Sequence, residues 1–123
     1  MTHIPDNFTV WTEIPVSDLD RAITFYGAVF STKLIRQDMG PNETAVFPTR
    51  AKDGVAGHLY EGTPAAGGNG PTLHLALPDR LEAGLDRLRA AGGTVVSEPI
   101  EIPDGRFAYC IDPDGNSIGL FET

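Results

Sequence analysis

The chain has 123 residues, 41% of them hydrophobic and 21% charged, proportions of a globular chain rather than a disordered one. Asp and Glu number 17 against 9 Lys and Arg, and the net charge of −8 repels phosphate, which excludes nucleic acid and anionic membrane as expected partners. A single cysteine, Cys110, excludes an internal disulfide and a cysteine-rich zinc site. The length fits one domain spanning residues 1–123. No apolar run approaches the roughly 20 residues of a membrane span. The opening MTHIPDNFTV lacks the pattern of a signal peptide, so a cytoplasmic location is expected.

Residues 8–15, FTVWTEIP, alternate in character. A strand is predicted there, with Phe8, Val10, Thr12 and Ile14 on one face and Thr9, Trp11 and Glu13 on the other. Ser17 is expected to cap a helix, with Asp18 and Asp20 at the positive end of its dipole. Leu19, Ala22, Ile23, Tyr26, Val29 and Phe30 make its apolar stripe. Strands follow at 33–38 and 43–48, separated by the turn-forming Met39-Gly40-Pro41-Asn42, and a further strand at about 55–61.

The stretch EGTPAAGGNGP, residues 61–71, reads as a linker. No Gly-Lys-Ser/Thr follows its glycines, so it is not a phosphate loop. Residues 72–77, TLHLAL, make a strand with Leu73, Leu75 and Leu77 on one face. Asp79 and Glu82 suit a capping box. Leu81, Leu85 and Leu88 make the stripe of a second helix, which Gly92-Gly93 end. Strands are expected at 94–97, 106–111 and 116–122.

The second half repeats the first. Asp53-Gly54 through Glu61 lies over Asp114-Gly115 through Glu122, with Asp-Gly, a Leu, an aromatic residue and Glu in register. The expected fold class is therefore α+β: two tandem βαβββ modules, at about 8–61 and 72–123 with a linker at 62–71. Their curved mixed sheet would surround a cavity and carry the helices on its outer face.

The stretch Ile14-Pro15-Val16-Ser17-Asp18-Leu19-Asp20-Arg21-Ala22, followed by Phe25-Tyr26 and Val29-Phe30, resembles the vicinal oxygen chelate superfamily. So do Ala91-Gly92-Gly93-Thr94-Val95 and Asp112-Pro113-Asp114-Gly115-Asn116-Ser117-Ile118. That superfamily includes glyoxalase I, bleomycin-resistance proteins, fosfomycin-modifying enzymes and extradiol dioxygenases. The resemblance covers the chain from about Phe8 onward. It implies a divalent metal held by His, Gln or Glu from the first and last strands of the modules. Mapped onto this sequence, those positions are Trp11, His58, Thr72 or by a looser alignment His74, and Gly119. Trp11 and Gly119 cannot serve as side-chain ligands.

Strand parity sets Glu13, His58 and His74 on the cavity side, a two-histidine, one-carboxylate set of a kind that binds Zn, Ni, Mn, Fe or Co. Glu13 and His74 each stand two positions, roughly 6–7 Å along a strand, from the implied ligands. The plainer reading has no cofactor. In it, Trp11, His58, Tyr60, His74 and Phe121 line a small-molecule pocket, with Glu13 as a partner or orienting carboxylate. Trp11 offers a stacking face, suitable also for a cation. Cys110, in the apolar FAYCI with no basic neighbour in sequence, reads as a buried hydrophobe. Asp112 and Asp114 read as turn formers.

Three functions fit these residues. The favoured one is a glyoxalase-like small-molecule-binding protein with a degenerate metal site, sequestering a drug or metabolite, for which the charge would suit a cationic ligand. The second is a metal-dependent lyase, isomerase or dioxygenase using Glu13, His58 and His74. The third is a metal-free enzyme in which Glu13 does acid–base work in the same cavity. The resemblance further implies a homodimer, with Trp11, Phe25 and Phe30 as candidates for the contact or the pocket.

Overall fold

The computed structural model describes residues 2–39 and 42–123. Two helices and nine strands follow one another in the order β1 (Glu13–Val16), α1 (Leu19–Phe30), β2 (Ile35–Met39), β3 (Asn42–Val46), β4 (His58–Glu61), β5 (Leu73–Ala76), α2 (Leu81–Ala90), β6 (Thr94–Val95), β7 (Ile100–Ile102), β8 (Gly105–Ile111) and β9 (Ser117–Glu122). The fold is α+β. Of the turn expected between β2 and β3, Gly40 and Pro41 lie outside the described residues.

Each half forms its own sheet, in the order β1-β4-β3-β2 and β5-β9-β8-β6, with β7 also on β8. The first strand of each half runs parallel to the last, Glu13 beside His58 in one and His74 beside Gly119 in the other. This shared register confirms the repeat at the level of individual positions. Glu13 corresponds to His74, and His58 to Gly119. Among the described residues β1 and β5 are not paired with each other, so each module keeps a mixed sheet of its own.

The apolar stripes do what their spacing dictates. Helix α1 buries Leu19, Ala22, Phe25, Tyr26, Val29 and Phe30, and α2 buries Leu81, Gly84, Leu85 and Leu88. They meet Ile14, Val16, Ala45 and Leu59 of the first sheet and Ala108, Cys110, Ile118 and Leu120 of the second in one continuous core. Phe25, a candidate for the dimer contact or the pocket, is only 2% exposed and belongs to this core. Each sheet thus turns one face to the helices and leaves the other open.

Several boundaries differ from the sequence expectation. The first strand begins at Glu13, not Phe8. Phe8 and Val10 are 78% and 71% exposed, because β4 offers backbone partners only from His58 onward. The cap of α1 is Asp18, which accepts from Arg21 N–H at 3.1 Å, rather than Ser17. Asp79 does not cap α2, where Arg80 stands at the cap position without a side-chain bond. Asp79 instead holds Arg87 through two 2.8 Å bonds, and Glu82 pairs with Arg106. The strand β7 was not expected. It continues β6 along the same edge of β8 after an interruption at 96–99, where the Ser97 hydroxyl accepts from Tyr109 N–H.

The two halves are clasped by the segments that carried the family resemblance. Asp112 accepts from the Tyr26 hydroxyl at 2.6 Å. Asp114 accepts from the Ser17 hydroxyl and from Arg21 at 2.6 Å, and the Asn116 amide donates to Pro15 C=O at 2.8 Å. Asp112 also accepts from the N–H groups of Asp114 and Asn116, each at 2.9 Å, as a turn former should. Arg87 reaches across to Val29 C=O at 2.9 Å. Among the described residues no helix is long and apolar enough to cross a membrane.

Candidate functional site

The open faces carry the chemistry. On the first sheet, parity and register bring Glu13, His58 and Tyr60 to the side away from α1, while Ile14 and Leu59 face inward. Trp11 lies just before β1 and joins them. Its indole Nε1–H donates to His58 Nδ1 at 2.9 Å. On the other side of the imidazole, His58 Nε2 lies 3.4 Å from Glu13 Oε1. The imidazole is nearly buried, its side chain 9% exposed, whereas the Glu13 side chain is 65% exposed. Tyr60 approaches His58 edge-on, with ring centroids 6.1 Å apart.

On the second sheet the open face is aromatic. His74 meets Phe107 edge-on at 4.8 Å, and Tyr109 and Phe121 lie at 5.8 and 6.2 Å. Phe107 and Phe121 stack at 5.9 Å. The imidazole of His74 lies across the bare backbone of Gly119, and a Cβ there would overlap the ring. The absence of a side chain at Gly119 is thus what seats His74. Phe107 and Tyr109 were missed as site residues. The alternation in FAYCI that sends Ala108 and Cys110 to the core sends them to the open face, and that signal was available.

Two clefts lie beside β5, each lined by residues of both halves. The larger, about 720 Å³, runs from Thr9, Phe30 and Arg50 to His74 and Leu77. The smaller, about 580 Å³, includes Glu13, Pro15, Thr72 and Ser117. His74 and Glu13 therefore border the clefts, while Trp11, His58, Tyr60 and Phe121 stand on the open faces beyond them. Phe30 is buried and lines the larger cleft.

The structure brings Glu13 and His58 together but gives His74 a surround of aromatic rings. Among the described residues no three His, Cys, Asp or Glu side chains are grouped to hold a metal ion. The His58 ring also has the wrong polarity. A metal-ligating histidine donates its second ring N–H to an acceptor, whereas here Nδ1 accepts from Trp11. This donor set does not fit the divalent metal implied by the family resemblance.

Cys110 is buried, and burial pushes its thiol up to about 11, which removes it as a nucleophile. The Tyr26 phenol is raised well above its ordinary value, first by burial and then by the Asp112 carboxylate beside it. It is a structural donor.

Residues 9–120 match the profile of the Glyoxalase/Bleomycin resistance protein/Dioxygenase superfamily. A protein of Synechocystis sp. named "Probable lactoylglutathione lyase" is 32% identical, over 94% of this chain and 95% of its own. A glyoxalase/bleomycin resistance protein from Streptomyces sp. CB03234 superposes with a TM-score of 0.67 at 30% identity, over 90% of this chain and 96% of that one. TnmS3, an antibiotic binding protein from the same organism, does so with a TM-score of 0.64 at 27% identity, over 98% of both chains. With its paired βαβββ halves and a profile match over nearly its whole length, the chain belongs to the Glyoxalase/Bleomycin resistance protein/Dioxygenase superfamily.

Proposed function

We propose that this protein binds a small organic molecule on its open sheet faces and sequesters it without a metal. The observation that carries this reading is the aromatic lining: His74, Phe107, Tyr109 and Phe121 on one face, with Trp11 and Tyr60 around His58 on the other. Trp11 and Tyr109 are 42% and 36% exposed. Partly exposed rings, backed by the buried Phe107, are a usual lining of a ligand site. The antibiotic binding protein among the structural relatives supports the same reading. With a net charge of −8, a cationic ligand would associate fastest, and salt would slow it. A homodimer, which would cover the open edges of β1 and β5, belongs to this proposal.

Trp11 is the single tryptophan, so its fluorescence reports binding directly. Titration with a panel of aromatic antibiotics, cationic glycopeptides such as bleomycin included, should quench it, and Trp11→Ala, which lacks the fluorophore and is followed by calorimetry, should bind about tenfold more weakly. A panel that neither quenches Trp11 nor raises the melting temperature would overturn the proposal. Light scattering during gel filtration checks the dimer.

A second reading is favoured by the contact between Glu13 and His58 and by the name of the Synechocystis relative. In it, Glu13 moves a proton on the bound molecule. Turnover of a glutathione hemithioacetal that Glu13→Gln abolishes would establish this reading in place of sequestration.

A further inference from the structure

We infer that Trp11 is a positioning residue that fixes the tautomer of His58. In this arrangement His58 and Glu13 form a donor–acceptor pair that reads an uncharged hydroxyl group rather than a pair of metal ligands. Trp11 Nε1–H can only donate, and it points at His58 Nδ1 from 2.9 Å. A proton on Nδ1 would set two N–H groups against each other at that distance. The ring proton therefore belongs on Nε2, the nitrogen 3.4 Å from Glu13 Oε1. That separation is longer than a made N–H···O bond, so the donor and the acceptor both retain capacity for a third group.

The consequence for a metal is direct. Ligation through Nε2 puts the ring proton on Nδ1, which the Trp11 N–H opposes. Ligation through Nδ1 requires displacing the indole. Both ring nitrogens are thus turned away from a cation by a residue that brings no charge. An alcohol or phenol fits the pair, because its oxygen accepts from Nε2–H while its proton goes to the Glu13 carboxylate. Neither a plain hydrocarbon nor a metal ion can make both bonds. The ligand chemistry rests on the small-molecule reading above, whereas the tautomer stands without any ligand.

The test is the ring-nitrogen spectrum of His58 in the intact protein, by long-range proton–nitrogen correlation at neutral pH. The wild type should show one pyrrole-like nitrogen at Nε2 and one pyridine-like nitrogen at Nδ1. Trp11→Phe keeps the aromatic bulk and removes the N–H, and should give averaged nitrogens. Zn²⁺ alone should leave the wild-type ring unshifted at stoichiometric concentration and perturb it in Trp11→Phe. Phenol, as a probe at fragment-screening concentration, should shift Nε2 more than toluene does. A wild-type Nδ1–H tautomer, an unchanged pattern in Trp11→Phe, or a wild-type ring that responds to Zn²⁺ would each overturn the role of Trp11. The wild-type spectrum decides the tautomer even if the variant fails to fold. Equal shifts with phenol and toluene would overturn the hydroxyl reading and leave the tautomer standing. Failure of the antibiotic panel with the expected tautomer present would instead count against sequestration.

Discussion

Glu61 and Glu122 do the same work in the two halves. Glu61, at the end of β4, accepts from the Leu19 N–H that opens α1, at 3.2 Å. Glu122, at the end of β9, accepts from the Leu81 N–H that opens α2, at 2.7 Å. Each helix thus has an unpaired first-turn donor satisfied by a carboxylate some forty residues away in sequence, placed at the positive end of its dipole. Replacing Glu122 by Ala should cost about 1 kcal/mol, a fall of about 4 °C in melting temperature for a chain of this size. Glu61→Ala should behave alike, and calorimetry of both variants checks the equivalence.

The clasp between halves predicts a single cooperative unfolding transition. Tyr26→Phe removes the buried hydroxyl bond to Asp112 and should cost about 1.5 kcal/mol. Asp114→Ala removes the acceptor for both Ser17 and Arg21 and should loosen the coupling between halves. If urea unfolding of Asp114→Ala followed by near- and far-ultraviolet circular dichroism still coincides in one transition, the clasp is not what couples them.

Stability should fall on the alkaline side. The Cys110 thiol is raised from 9.0 to about 11 by burial, and the Tyr26 phenol is raised above 10.0. Below about pH 8 both groups are protonated in the folded and unfolded chains, and their contribution is fully present. As pH rises from about 9 to 11 the unfolded chain releases these protons while the folded one keeps them, so the unfolding free energy declines. Urea midpoints at pH 8 and pH 10.5 should differ in that direction. Cys110→Ala should flatten the first part of the decline. The wild-type thiol should react slowly with a disulfide reagent at pH 8 unless the protein is unfolded.

Two glycines predict opposite kinds of damage. A Cβ at Gly57 would strike the Thr12 backbone carbonyl, which also accepts from His58 N–H. Gly57→Ala should therefore cost about 2–3 kcal/mol. At Gly119 the atoms nearest an added Cβ all belong to the His74 ring, which sits at the surface and can swing aside. Gly119→Ala should cost less than about 1 kcal/mol, yet displace His74 from Phe107. Thermal melts separate the two variants, and the ring-current shifts of His74 report the displacement.

Much of this was legible because strand parity depends on neighbours in sequence. The alternation around Glu13, His58 and Tyr60 against Ile14 and Leu59 sorts open face from core without a structure, and the same test applied to FAYCI would have found Phe107 and Tyr109. What escaped depends on partners distant in the chain. Phe8 and Val10 alternate like a strand, but no neighbouring backbone reaches them. Ser17 and Asp79 are sound caps by type, yet Ser17 is taken by Asp114 and Asp79 by Arg87, while Glu61 and Glu122 reach the helix starts from across the sheets. Trp11 read as a lost ligand and a stacking face. Its bond to His58 spans 47 positions, and nothing local announces it.

The equivalence of Glu13 with His74, and of His58 with Gly119, gives the two open faces matching places in the fold and unlike chemistry. One half presents an acid beside an imidazole; its counterpart presents an imidazole lying over bare backbone. A duplicated sheet with identical halves would accept a guest molecule equally well either way round. Here the two-fold has been broken at its chemical positions while the scaffold keeps it. A guest that reached both faces would therefore meet unlike chemistry at its two ends, and its two orientations would differ in affinity.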